Sequence, residues 1–143
     1  MGRKGLIGEK LSHSFSKTIH EQITDYTYDL IELAPDELGP FLTAKEFDGL
    51  NVTIPYKRDV IPYLDALDPK AAAIGAVNCI VNTAGKLTGC NTDYDGFDYA
   101  MTHNGIDPAG KKVLVLGNGG AAQAVLAAIR SHNPAEIVNS QLQ

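Results

Sequence analysis

The amino-acid sequence predicts an α/β protein in two parts. Residues 1–104 form an N-terminal α/β domain with a mostly parallel sheet, and residues 105–143 form the opening β-α-β unit of a second, incomplete sheet. Three observations carry this. Strand-like and helix-like segments alternate along the chain, the pattern of layered α/β folds. Lys112 to Leu116 gives an uninterrupted apolar run of the kind parallel sheets bury on both faces. Ahead of it, Asp107-Pro108-Ala109-Gly110 is a loop signal at which the composition changes.

The elements follow in order. Leu6-Ile7-Gly8 reads as a first strand. Ser16 is a candidate N-cap for a helix that carries Ile19 and Ile23 on one face. Residues 26–33, YTYDLIEL, are rich in aromatic and β-branched residues and read as a second strand. Pro35 suits the first turn of a short helix, which Gly39-Pro40 is expected to disturb. Gly49 to Ile54 reads as a third strand, with Leu50, Val52 and Ile54 on its apolar face and Asn51 and Thr53 on the other. Arg58 to Leu67 is expected to be helical, with Pro62 its weak point. Residues 70–82 pass from a helical patch into a strand near Ala76–Asn82, and Leu87 to Cys90 returns as a hairpin partner. Asp93 is a candidate cap for a helix from Tyr94 to about His103, closed by Asn104-Gly105. Gly117 to Gly120 is a tight turn, Ala121 to Ile129 a helix, and Glu136-Ile137-Val138 the start of another strand.

Composition narrows the function. The net charge is −5 and the cations are scattered, so no basic patch points to nucleic acid. No apolar run approaches the length of a membrane span, and the N-terminus lacks a signal core, so a cytoplasmic location is expected. Cys79 and Cys90 could face each other across a hairpin and are expected to be free thiols. His13, His20, His103 and His132 show no metal-ligand spacing.

Two groups of residues carry chemistry. Gly117-x-Gly119-x-x-Ala122 follows a strand and opens a helix, the setting of the Rossmann dinucleotide fingerprint. Gly117 permits the sharp turn, Gly119 lets backbone approach a pyrophosphate, and the helix N-terminus offers unpaired N–H groups. A tight turn with small residues chosen for packing alone is the plainer alternative. No Asp, Glu or Arg stands in VNSQLQ, where the choice between NAD and NADP is usually made. The second group is polar. Ser12, Ser14 and Ser16 lie beside a helix start, and Asn51 and Thr53 share a strand face. Pro55 then ends the ladder and Lys57 can fold back over the strand end. Asn78 interrupts an apolar strand, and Asn91, Thr92 and Asp93 precede a helix. Together they can ring a small polyhydroxylated ligand with an anionic group. Each also has an ordinary structural reading as a cap, a β-former or a surface lysine.

The segments GLIGEKLSHSFSKTIH, GLNVTIPYK, AIGAVNCIV, GCNTDYDGF and VLVLGNGGAAQAV, in this order over residues 5 to 125, resemble the shikimate dehydrogenase family. The resemblance implies NADPH-dependent reduction of 3-dehydroshikimate to shikimate, in aromatic amino-acid biosynthesis. It implies a small-molecule substrate, no nucleic acid and no membrane. Carried over by position, Ser14 and Ser16 would hold the substrate carboxylate, and Thr53, Asn78 and Asp93 its ring hydroxyls. Lys57 and Asp93 would be the catalytic pair, and Gly117, Asn118, Gly119, Gly120 and Ala121 would line the cofactor phosphates. Three departures stand out. Lys17 replaces the proline that usually follows the second serine, and Ser140 replaces the arginine of the family's cofactor clamp. Family members are also considerably longer. The chain therefore corresponds to a substrate domain and the start of a cofactor domain, with impaired turnover expected. A monomer or homodimer is expected, with self-association where apolar surface is left uncovered. A quinate/shikimate dehydrogenase using NAD and a non-catalytic shikimate-binding domain are the alternatives.

Overall fold

The structure, a computed structural model, describes residues 2–140. Its first strand, β1 (Lys4–Gly8), turns Ile7 to one face of the sheet and Leu6 to the other, because side chains alternate along a strand. Helix α1 (Ser16–Ile23), strand β2 (Asp29–Glu32), helix α2 (Pro35–Ala44) and strand β3 (Gly49–Val52) follow. A single 3₁₀ turn (Ile61–Tyr63) leads to β4 (Ala66–Leu67) and α3 (Pro69–Ile74). The hairpin β5 (Cys79–Thr83) and β6 (Lys86–Cys90) then precedes α4 (Asp93–His103). The chain continues through β7 (Lys112–Leu116), α5 (Gly120–Ser131) and β8 (Glu136–Ser140).

The strands form two sheets. The larger has the order β2-β1-β3-β5-β6-β4, and the smaller pairs β7 with β8. In the larger, β1 is parallel to both β2 and β3, and β4 is parallel to β6. The two antiparallel pairings are β3 with β5 and β5 with β6. The main core lies on the Ile7 face, where Ile31, Leu38, Leu42, Leu50, Val52, Tyr56, Val60, Val77, Ile80 and Leu87 pack together. Burial of side chains this size stabilises by about 1.5–3 kcal/mol each. On the opposite face Leu6, Leu11 and Tyr28 form a small cluster beside α1. A third cluster, Met101, Val115, Leu126, Ala128 and Ile129, joins α4 to α5 and β7.

Several elements differ from the sequence expectation, each for a local reason. Gly39-Pro40 does not break α2. Pro40 lies inside it, but Leu38 and Leu42 anchor the helix in the core on either side, and at its start the Glu37 carboxylate accepts from the Ala34 N–H at 2.8 Å. The helix expected over 58–67 is absent. Pro62 has no N–H to give, and β6 claims the backbone that follows: Asp65 N–H reaches Leu87 O and Asp68 N–H reaches Gly89 O, both at 2.9 Å. Strand β3 ends at Val52, so Leu50 and Val52 are buried as expected but Ile54 is 78 % exposed. Neither cap falls on the residue expected. Ser16 is the first residue of α1 and Asp93 the first of α4, and the side chains of Ser14 and Asn91 take the capping bonds instead. Asn78 lies just before β5 rather than inside a strand. Strand β7 is not buried on both faces: Leu114 and Leu116 are exposed, because the residues of α4 and α5 that pack on the sheet do so on the Val115 side. Cys79 and Cys90 are register partners across the hairpin, and both are free thiols.

Candidate functional site

The parallel strands β1 and β3 both end at the same edge of the large sheet, and a polar cleft of about 650 Å³ opens there. Ligands of α/β proteins collect at this end of parallel strands. The loop after β1 brings Lys10, His13, Ser14 and Ser16 to one wall. The end of β3 contributes Asn51, Thr53 and Lys57, and Asn78 and Asp93 close the far side.

Each group is held by its own local bonds. Ser14 Oγ accepts from the Ser16 N–H at 3.2 Å, which fixes the two serines relative to each other at the start of α1. Thr53 N–H reaches Ile7 O at 3.0 Å, so the threonine stays tied to the end of β1. Asn78 is buried and exchanges two bonds with Thr92: Nδ2 donates to Oγ1 at 2.9 Å, and Oδ1 accepts from the Thr92 N–H at 2.8 Å. Asn91, 1 % exposed, accepts from the backbone N–H of Asp93 and donates to Ala76 O. With Asn91 doing the capping, the Asp93 carboxylate is released to meet Lys57, and Nζ lies 2.5 Å from Oδ2. The Lys57 side chain is 15 % exposed, so this pair is only partly screened by water. With Lys10 added, the cleft holds more fixed positive than negative charge, which suits an anionic ligand.

A second cleft of about 500 Å³ shares Thr53 and Lys57 with the first and continues to Ile54, Pro55, Gly119, Gly120 and Ala121. Lys57 therefore stands between a polar chamber and the glycine turn. Gly117 has φ +117°, a conformation that L side chains rarely adopt, and its N–H reaches Ser140 O at 2.8 Å. Space around the Cβ position of Gly119 is open, with no atom within 4 Å. Asn139 Nδ2 donates to Val115 O and Gly117 O, so the side chain of β8 pins the turn. These residues fit a dinucleotide pyrophosphate: the turn is open, its backbone is unobstructed, and the start of α5 faces it. Ala122 is half-buried, and Ala124 and Ala128 are the small residues fully buried in α5.

The structure thus brings Ser14, Ser16, Thr53, Lys57, Asn78 and Asp93 into one cleft, and Gly119, Gly120 and Ala121 into the adjoining one. Gly117 and Asn118 lie in the turn that precedes α5 but do not line that cleft; the Asn118 Oδ1 accepts from Gln123. Sequence reasoning missed Lys10, His13, His20 and Tyr28. His20 was within reach of it, standing four residues after Ser16 and so on the same helix face. Tyr28, whose hydroxyl donates across β1 to Asn51 Oδ1, carried no such signal, because that contact crosses a neighbouring strand. Among the described residues no cluster of His, Cys, Asp and Glu could hold a metal. Gln141 to Gln143, the last residues of VNSQLQ, lie outside the described residues.

Two unequal sheets, a polar cleft at the strand ends of one and a glycine turn from the other define a mixed α/β protein in which two adjoining clefts meet at one lysine. A family model described as "Shikimate dehydrogenase substrate binding domain" matches residues 6–80. The chain is 44% identical over 136 residues to "Shikimate dehydrogenase (NADP(+))" of Clostridium beijerinckii, covering 90% of this chain and 50% of that protein. Among solved structures, shikimate dehydrogenase 1 of Peptoclostridium difficile superposes with a TM-score of 0.92 at 35% identity, covering 97% of this chain and 54% of that one. The Thermus thermophilus enzyme, solved with NADP(H) and shikimate, gives 0.85 at 32% identity, with 97% and 56% covered. The chain belongs to the shikimate dehydrogenase family, and it spans about half the length of the curated relatives it matches.

Proposed function

We propose that the polar cleft binds shikimate and 3-dehydroshikimate, and that the chain carries the substrate half and the start of the cofactor half of an enzyme reducing the latter with NADPH. The single observation behind this reading is the Lys57–Asp93 pair at 2.5 Å, set between the polar cleft and the glycine turn. The division at residues 104 and 105 belongs to the same reading, since it falls between α4 and β7.

Ser14 and Ser16 receive the substrate carboxylate, with Lys10 adding charge at the rim. Thr53, Asn78 and Asp93 hold ring hydroxyls. A bound nicotinamide cofactor supplies hydride to the ketone carbon. Lys57 faces the ketone oxygen, stabilises the charge that develops there and donates a proton to it, while Asp93 keeps the ammonium oriented. Gly117, Asn118, Gly119, Gly120 and Ala121 carry the cofactor phosphates. Among the described residues of β8 no cation stands ready for a 2′-phosphate, which keeps an NAD-using quinate/shikimate dehydrogenase as the second reading. Oxidation of shikimate and quinate compared with both cofactors separates the two. No helix among the described residues is long and apolar enough to cross a membrane; we place the reaction in the cytoplasm.

Isothermal titration of the 143-residue chain with shikimate tests the reading. Binding is expected, and its absence overturns the assignment. The same chain with 3-dehydroshikimate and NADPH is expected to turn over slowly, because β7 and β8 alone make a small part of a dinucleotide sheet. Lys57→Met should lower whatever rate is seen by about 10²–10⁴-fold. Near-normal wild-type turnover would refute the expected impairment.

A further inference from the structure

Behind the cleft wall lies a chain of side chains that the roles above do not use. Tyr28, just ahead of β2, lies on the α1 face of the sheet and crosses over β1. Its hydroxyl donates to Asn51 Oδ1 on β3 at 2.7 Å. The ring is 2 % exposed, and burial pushes the phenol well above its usual value, so the hydroxyl keeps its proton. Asn51 Nδ2 points towards Asn78 O at 3.5 Å. A backbone carbonyl only accepts, so it selects the amide end that faces it, and Tyr28 must then be the donor to the other end. The imidazole of His20 stacks on the Tyr28 ring, with centroids 3.9 Å apart and planes at 11°, and His20 Nδ1 meets Tyr26 Oη at 2.9 Å. Both His20 and Asn51 line the polar cleft.

We propose that Tyr28, seated by His20, is a positioning residue that sets the Asn51 carboxamide so that its amino group faces the bound ligand. The inference rests on the reading of the cleft as a shikimate site. Left to itself, an asparagine amide rotates readily about its last torsion, which is broad and roughly two-fold. A ligand would then have to order it. With Oδ1 held by Tyr28 and one Nδ2 hydrogen directed at Asn78 O, the other hydrogen is presented before the ligand arrives. A ligand oxygen is the complementary group, which favours a hydroxylated or carbonyl-bearing ring over an apolar one. His20 prevents the phenol from swinging away, because the stack and the Tyr26 bond fix the plane in which the hydroxyl lies. The relay also ties α1 to the cleft, as His20 stands on the helix that begins with Ser16.

The test uses the 143-residue chain. Tyr28→Phe keeps the ring and the stack and removes only the donor. It should weaken shikimate binding about tenfold, the size of one hydrogen bond. His20→Phe, which retains an aromatic partner but not the Tyr26 bond, should weaken it by about threefold. In an Asn51→Ala background, Tyr28→Phe should have almost no further effect. Equal losses in both backgrounds would show that Tyr28 only supports the fold, and would overturn the relay. A ligand-free readout keeps this separate from the assignment of the cleft. In ¹H–¹⁵N spectra the Asn51 side-chain amide pair should move in Tyr28→Phe, and an unmoved pair overturns the relay. Wild-type chain that fails to bind shikimate would sink the substrate assignment, while the amide spectra still decide whether Tyr28 holds Asn51.

Discussion

Gly120 is where the two clefts press on each other. A Cβ there would sit 3.0 Å from Lys57 Cδ and 3.1 Å from Lys57 Cβ, closer than most such contacts. Gly120→Ala should therefore push the Lys57 stem and loosen its ammonium from Asp93, lowering shikimate affinity by about three- to tenfold, a fraction of a charge-assisted hydrogen bond. Gly119 differs. Its φ of −77° suits any residue and its Cβ position is open. Gly119→Ala should leave shikimate binding unchanged and weaken NADPH binding, where backbone must meet pyrophosphate. Titrating both variants with both ligands checks the contrast, and equal losses of shikimate affinity at the two positions would contradict it. Lys57 and Asp93 were legible as candidates from residue type and from their places after a strand and before a helix. What the sequence could not say is which of Asn91, Thr92 and Asp93 would cap α4, since all three are cap formers. Burial decided it: Asn91 binds Ala76 O from inside the protein, and Asp93 is left for the cleft.

At the scale of elements, short-range signals were readable where the chain satisfies its own backbone and unreadable where a distant strand does so. The hairpin of β5 and β6 and the glycine turn before α5 are of the first kind, with Ala84 and Gly85 both at positive φ in the hairpin. The stretch from Arg58 to Leu67 is of the second, its helical pattern losing to β6. The acid that holds this stretch gives a test. Asp65 accepts from the Leu87 N–H at 2.7 Å and from Lys45 Nζ at 3.1 Å, and these bonds, the backbone one foremost, hold its carboxyl below the usual value of 3.8. Lys4 and the Gly2 N–H act on Asp48, and Lys17 and the Tyr28 N–H on Glu21, in the same direction. A carboxyl with a lowered folded pKa binds protons more tightly when unfolded. Its contribution is fully present above the ordinary carboxylate range and is lost as pH falls through the folded value. Urea midpoints should hold steady from neutral pH to about 5 and fall below about 4, the range in which unfolded carboxylates titrate. Asp65→Asn should flatten part of that fall. An unchanged acid limb in the variant would remove Asp65 from the account.

At the scale of the molecule, the two sheets are unequally finished. The larger has a closed core, whereas β7 and β8 show Leu114, Leu116 and Val138 at 61, 59 and 48 % exposure. A groove of about 660 Å³ runs between α4 and β7, lined by Phe97, Met101, Ile106, Leu114 and Leu116 among others. The apolar run of β7 had been legible as a strand, but its burial had not, because burial depends on neighbours rather than on the run itself. Exposed apolar surface of this kind drives association. Light scattering should show a mass that rises with concentration, and Leu114→Lys with Leu116→Lys should suppress the rise. A strictly monomeric profile at every concentration would count against it.

Helix α1 has no buried residue, alone among the five α-helices described. Lys17, the residue standing in place of the family's proline, donates to Tyr28 O at 2.7 Å, and Glu21 accepts from the Tyr28 N–H at 3.1 Å. Polar tethers of this sort release at far smaller free-energy cost than a packed core. The amide protons of the serine rim should thus exchange sooner than those of the sheet beneath it, which hydrogen exchange would read directly.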